Sequence, residues 1–188
     1  MGDGIAAAVR TLRRGRLVVY PTDTLLGLGA LAGHPGAVRR LLTAKGRSTA
    51  QPISVCLSST EEVERFARVS PAARRFLRRH LPGAYTVLLS PSAEARRALA
   101  PGAVGPRAVG FRVPDHPVAR ELARRAGPIT ATSVNRHGEP PARSVAAARR
   151  ALGDSVALYL PAGPKGSGAP SVLVDLTGAE PREVPRRS

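Results

Sequence analysis

The sequence predicts an α/β fold: a single domain in which a mixed sheet is flanked by helices. Helix-period and strand-period segments alternate from end to end, the pattern of layered α/β folds. The 188 residues are the size of one ordinary domain. No internal repeat and no linker-like stretch interrupts them, so residues 1–188 are expected to form one unit with a core at about 4–186.

Each element has its own signal. Residues 4–14 (GIAAAVRTLRR) carry apolar positions at helical spacing and stop at Gly15. Leu17 to Tyr20 is a short apolar strand ended by Pro21. A helix at about 35–45 follows, with Val38, Leu41 and Leu42 on one face, and then a strand from Ile53 to Leu57. Ser59 or Thr60, with Glu61 and Glu62 behind it, starts another helix with acids where the dipole favours them. Ser70-Pro71 is a cap and first-turn proline for a helix over 71–80. Ala84 to Leu89 and Ala108 to Val113 read as strands, with a short helix near 92–99 between them. Asp115 is expected to cap a helix running to Ala126, closed by Gly127-Pro128. A strand over Ile129 to Thr132, a helix over 145–152 capped by Ser144, and strands at Val156 to Leu160 and Val172 to Leu176 complete the pattern. Between the last two strands lies a Gly- and Pro-rich loop, Pro161 to Pro170.

Composition narrows the function classes. Hydrophobic residues are 43% and charged residues 22%, a globular balance that excludes a disordered chain. At this length roughly 70% of the unfolded surface can be buried, so no staple is required. Aromatics are 3% with no Trp, which argues against reading single strands by stacking. The lone Cys56 excludes an internal disulfide and cysteine-pair zinc sites. No apolar run reaches the roughly 18 to 20 residues of a membrane helix, and no signal-peptide h-region is seen. A cytoplasmic location without a membrane partner is expected. The net charge is +16, and 27 of the 29 basic residues are Arg. Such a chain attracts nucleic acid and other polyanions. Yet many arginines fall in doublets on predicted helices, from Arg13-Arg14 to Arg149-Arg150, and read as solvated helix faces. The same bias makes rare residues informative: Lys occurs only at 45 and 165, Asn only at 135 and Gln only at 51.

Several motifs fail on inspection. Gly27 to Gly33 has the wrong last spacing for a dinucleotide fingerprint, and Pro164-Lys165-Gly166-Ser167 is not a phosphate-binding P-loop. There is no G-x-S-x-G elbow, and His34, His80, His116 and His137 lack metal-ligand spacing. His80 reads as a helix C-terminal residue. What remains are polar groups at strand ends. Thr22-Asp23-Thr24 beside glycines allows close approach of a small polar ligand. Lys45-Gly46-Arg47 offers two cations across a glycine, able to clamp phosphate or merely to neutralise a helix end. Arg112, Thr130 to Asn135 and Ser171 to Asp175 complete the set.

In chain order, Tyr20 to Gly29, Lys45 to Pro52, Leu81 to Thr86, Gly110 to Pro117, Ala131 to Asn135 and Ser171 to Asp175 resemble the YrdC-like family of threonylcarbamoyl-adenylate synthases, over about residues 16–186. The resemblance implies a twisted sheet with a large concave, basic cavity. It also implies a nucleotidyltransferase that makes threonylcarbamoyl-AMP and pyrophosphate from L-threonine, bicarbonate and ATP, for tRNA t6A modification. Downstream threonylcarbamoyl-transferase proteins and tRNA are the partners it implies, and the length matches its single-domain form.

Carried over by position, Lys45, Arg47, Ser133 and Asn135 would be catalytic. Lys45 and Arg47 would bind ATP phosphates, and Ser133 and Asn135 the nucleotide and phosphate. Thr24, Arg112, Ala131, Ser171 and Cys56 would face threonine or bicarbonate, with Arg112 pairing with the threonine carboxylate. Gln51, Ala108, Pro141 and Arg186 would reach the nucleotide. Mg²⁺ would arrive with ATP as substrate, with Asp23 as a side-chain assistant. Departures from the family pattern are Leu26 for Tyr, Val134 for Ala, Val172 for Thr, Gln51 for Asn, Cys56 for His, and Ala108 and Pro141 for hydroxyl residues. They leave open a nucleotide-binding relative without turnover, and the arginine excess leaves open a basic module for double-stranded RNA or tRNA.

Overall fold

The computed structural model describes residues 2–48, 52–161, 163 and 166–185. Capping side chains and first-turn prolines start most of its helices where the sequence places them, although Ser59, ahead of the third helix, makes no side-chain cap bond. Helix α1 (Gly2–Arg13) buries Ala8, Val9 and Leu12. In α2 (Pro35–Lys45) the N–H of Ala37 donates to Nδ1 of His34 at 3.2 Å. After α3 (Thr60–Phe66) comes α4 (Pro71–His80), capped by Ser70 Oγ, which accepts from Ala73 N at 3.1 Å. Ser92 caps α5 (Ala93–Ala98) and Ser144 caps α7 (Val145–Leu152) in the same way, each at 3.1 Å.

The cap of α6 (Pro117–Ala126) differs from expectation: it is His116, whose Nδ1 accepts from Val118 N at 3.3 Å. With Pro117 at the first helical position, the cap must be the residue immediately before it, and Asp115 stands one place too early. Asp115 instead lies exposed, 4.0 Å from Arg120.

Among the described residues the strands form two sheets. In the smaller, β1 (Val18–Tyr20) lies between antiparallel β2 (Gly27–Gly29) and parallel β9 (Leu158–Tyr159), and β8 (Thr132–Ser133) extends β2. The larger runs β11 (Arg182–Glu183), β10 (Val172–Asp175), β5 (Tyr85–Pro91), β6 (Val109–Arg112), β3 (Val55–Cys56), β7 (Ile129–Thr130), with β4 (Ala67–Arg68) paired to β5. Parallel and antiparallel pairs are mixed, as expected: β10 with β5 and β3 with β6 run parallel, β5 with β6 antiparallel.

One predicted strand is two. Ile129–Thr130 pairs with β3 in the large sheet, and Thr132–Ser133 pairs with β2 in the small one. The chain changes sheets at Ala131, whose N–H donates to Ser54 O at 2.7 Å. A buried polar knot holds the crossing. Thr130 Oγ1 donates to Leu28 O at 3.0 Å and accepts from Ala30 N at 2.9 Å, and Tyr20 Oη donates to Thr130 O at 2.9 Å.

Two apolar clusters frame this junction. One packs α2, α3, α4 and α7 against the large sheet around Leu41, Leu77, Leu89 and Phe111. The other packs α1 on α6 and the small sheet through Leu12, Val18, Leu122 and Ile129. No helix among the described residues is long and apolar enough to cross a membrane.

Candidate functional site

A cavity of about 690 Å³ opens where the two sheets meet. Its lining draws on the loop after β1 (Thr22, Thr24), the end of α2 (Lys45, Arg47), Ser54, Thr86, Arg112, the β8 segment (Ala131 to Asn135) and Ser171. A sheet that loses its hydrogen-bonding neighbour at a switch leaves a crevice with backbone ends pointing into it, which is where ligands bind in open α/β sheets.

One group of polar atoms centres on Arg112, which ends β6 and is 8% exposed. Its Nη2 donates to Asp23 Oδ1 at 2.5 Å, while its Nε is buried without an acceptor among the described residues. Asp23, expected to assist a cation, is thus paired through Oδ1 with the guanidinium. Beside it, Thr22 Oγ1 donates to Leu25 O at 2.6 Å and lies 3.2 Å from Thr24 Oγ1. Since Thr22 has one hydroxyl proton, Thr24 must be the donor of that second contact, which leaves its own oxygen able to accept. Thr86 and Ser171, both buried, share a 2.7 Å hydroxyl bond.

A second group forms at the end of α2. Gly46 adopts φ 62°, and the N–H groups of Gly46 and Arg47 return to Thr43 O and Leu42 O at 3.0 Å each. This left-handed cap reverses the chain, so Lys45 and Arg47 both reach the cavity. Lys45 is 3% exposed, and its Nζ donates to Ser133 O at 2.7 Å, Asn135 O at 2.8 Å and Asn135 Oδ1 at 3.0 Å. Burial, then the neighbouring Arg47 charge, lowers its pKa from 10.5 to about 8. Arg47 is half-buried, burial lowers its pKa too, and its Nε is buried without a partner among the described residues.

Of the expected site residues, Thr24, Lys45, Arg47, Arg112, Ala131, Ser133, Asn135, Pro141 and Ser171 meet on this one lining, as does Leu26. Cys56 and Ala108 do not line it. Cys56 is fully buried against Tyr20, and burial pushes its thiol up to about 12, so it is packing rather than a reactive group. Gln51 and Arg186 lie outside the described residues. The lining also contains Ser54 and Thr86, which the sequence reading passed over as strand residues. A signal for Thr86 was present, since a hydroxyl within an apolar strand must find a buried partner. His116 is buried, and burial lowers its pKa; with Nδ1 accepting at the helix cap, the neutral ring carries its proton on Nε2, which has no partner among the described residues.

The family described as Telomere recombination, whose model is named for Sua5, YciO and YrdC, matches residues 10–188. A Mycobacterium tuberculosis protein provisionally named as a threonylcarbamoyl-AMP synthase is 43% identical over 182 residues, covering 95% of this chain and 82% of its own. A Chromohalobacter salexigens protein named threonylcarbamoyl-AMP synthase is 36% identical over 180 residues, covering 95% of each chain. Among solved structures, P. abyssi Sua5 in complex with L-threonine superposes with a TM-score of 0.85 at 31% identity, over 95% of this chain and 52% of that one. E. coli YciO superposes with a TM-score of 0.84 at 27% identity, over 96% and 87%.

Proposed function

The chain belongs to the Sua5, YciO and YrdC family, and from that premise we propose that it is a threonylcarbamoyl-AMP synthase. L-Threonine, bicarbonate and ATP would give threonylcarbamoyl-AMP, pyrophosphate and water. The threonine amine condenses with bicarbonate to a carbamate. A carbamate oxygen then forms a bond to the α-phosphorus as the bond from that phosphorus to the bridging oxygen breaks, and pyrophosphate leaves with the electron pair. The product is an activated adenylate for a transferase acting on tRNA, the t6A modification.

The observation that carries this reading is the two-group lining of one cavity. An arginine with an unpaired buried Nε beside an accepting hydroxyl suits an amino acid, with Arg112 taking the carboxylate and Thr24 Oγ1 the ammonium. Arg47 on the same lining suits a polyphosphate. No nucleophile is required, since bringing three small reactants together and neutralising charge as pyrophosphate departs supply the acceleration. No cluster of three His, Cys, Asp or Glu side chains exists among the described residues. The donors present therefore suit a Mg²⁺ carried on ATP phosphates and not one caged by the protein.

The test is pyrophosphate release from ATP and bicarbonate, with L-threonine, with L-serine, and with neither. Release that depends on threonine is expected. Release with no amino acid, or none at all from protein that binds ATP, overturns the reading.

A further inference from the structure

The two cations at the end of α2 are not equivalent. An ammonium has three protons to donate, and Lys45 spends all three inside the protein, on Ser133 O, Asn135 O and Asn135 Oδ1 at 2.7 to 3.0 Å. Its carbonyl is engaged as well, accepting from His137 N at 2.7 Å. Asn135 is equally committed. Its Oδ1 also accepts from Ser133 Oγ at 2.6 Å, and its Nδ2 donates to Arg136 O at 2.9 Å and Glu139 O at 2.8 Å. Turning Lys45, itself 3% exposed, toward an anion would break three hydrogen bonds at once and strip three part-buried acceptors of their donor. Arg47 has no such engagement at Nε.

We propose that Lys45 is a positioning residue: its ammonium clamps the Ser133–Glu139 loop into one wall of the cavity, and Arg47 is the member of the pair that meets the anionic ligand. The proposal rests on reading the cavity as an adenylate-forming site, and it narrows the expected roles. Lys45 acts through the loop, and Asn135 shapes that loop by folding its own side chain into it. The lowered pKa of Lys45 agrees with an ammonium that has no carboxylate partner and is held by carbonyl dipoles alone.

Because the chain has only two lysines, ¹⁵N-lysine labelling gives two side-chain signals, assigned with Lys165→Arg. At pH 6 the Lys45 ammonium protons should exchange slowly with water, and saturating inorganic tripolyphosphate should leave their signal in place. Lys45→Met should bind tripolyphosphate within about threefold of wild type, whereas Arg47→Met should weaken it about tenfold or more, or about 1.4 kcal/mol. Lys45→Met should also lose amide-exchange protection over residues 133–139 and lower kcat for pyrophosphate release with little change in KM for ATP, the mark of a misplaced wall and not a lost contact.

A Lys45 signal that moves with tripolyphosphate, or a Lys45→Met protein that loses tripolyphosphate binding as Arg47→Met does, overturns the proposal. If Lys45→Met does not fold, the wild-type ammonium signal decides alone. Wild-type protein that passes the tripolyphosphate and exchange tests but releases no pyrophosphate with threonine leaves the clamp standing and removes the synthase reading.

Discussion

At the scale of single residues, charge placement decides what each side chain can do. Arg112 and Asp23 form an ion pair with side chains 10% and 13% exposed, and removing one member strands the other in low dielectric. Asp23→Asn is expected to cost about 3 kcal/mol in denaturant unfolding. The same change should raise KM for threonine more than that for ATP, because the freed guanidinium loses its fixed direction. Lys45 yields a pH signature with two opposite arms. Its folded pKa is lowered to about 8 from 10.5. Between those values the unfolded chain holds more protons than the folded one, so this group makes stability rise with pH across that window. The neutral amine, however, has two N–H groups where the ammonium has three, so the loop loosens. Unfolding midpoints at pH 7.5 and 9.5 should therefore rise relative to Lys45→Met while kcat falls.

At the scale of elements, the helices and the apolar strands were legible, and the short polar or glycine strands were not. Ser70, Ser92 and Ser144 announce their helices because a cap and its first turn are local chemistry. Strands such as Gly27–Gly29 and Arg182–Glu183 exist through pairing with the strand before them, and no apolar pattern of their own marks them. Gly27–Gly29 instead looks like part of a ligand-binding glycine run. In the fold those glycines are where Tyr20 lies, and a Cβ on Gly27 would stand 2.6 Å from its ring. The end of α2 is the element on which the site depends most. Gly46→Ala puts a Cβ on a left-handed residue at φ 62° and should cost about 1 kcal/mol. It should also lower ATP affinity, because Arg47 follows that turn, and both effects can be read from one thermal melt with and without ATP. Leu122, fully buried between α6 and α1, is far from this turn. Leu122→Ala should cost about 2 to 5 kcal/mol in chemical unfolding yet leave KM for ATP near its original value.

At the scale of the whole molecule, the excess of arginine and the cavity are separate features. The seven doublets between residues 13 and 150, Arg13-Arg14, Arg39-Arg40, Arg74-Arg75, Arg78-Arg79, Arg96-Arg97, Arg124-Arg125 and Arg149-Arg150, are exposed, as the helix periodicity implies. Some are occupied: Arg74 pairs with Glu64 at 3.0 Å and Arg124 with Glu121 at 2.7 Å. None of these arginines lines the cavity. Reversing Arg74 and Arg75 to Glu should therefore leave threonine-dependent pyrophosphate release within about twofold. Any RNA retention should fall steeply with that change and with added salt. Release that collapses in the double variant would place polyanion contact at the chemistry.

By itself the sequence determined the α/β class, most of the helix starts, the family and most of the residues that gather at the site. These rest on local chemistry and on ordered motifs, both of which survive in one dimension. Only the tertiary structure decided that one predicted strand divides between two sheets at Ala131, that His116 and not Asp115 caps α6, and that Asp23 holds Arg112. It also decided that Cys56 belongs to the core and that Lys45 faces three oxygens of its own chain. Apart from the α6 cap, which Pro117 sets locally, each depends on groups far apart in sequence competing for the same few donors and acceptors, and only the packed fold sets which of them meet.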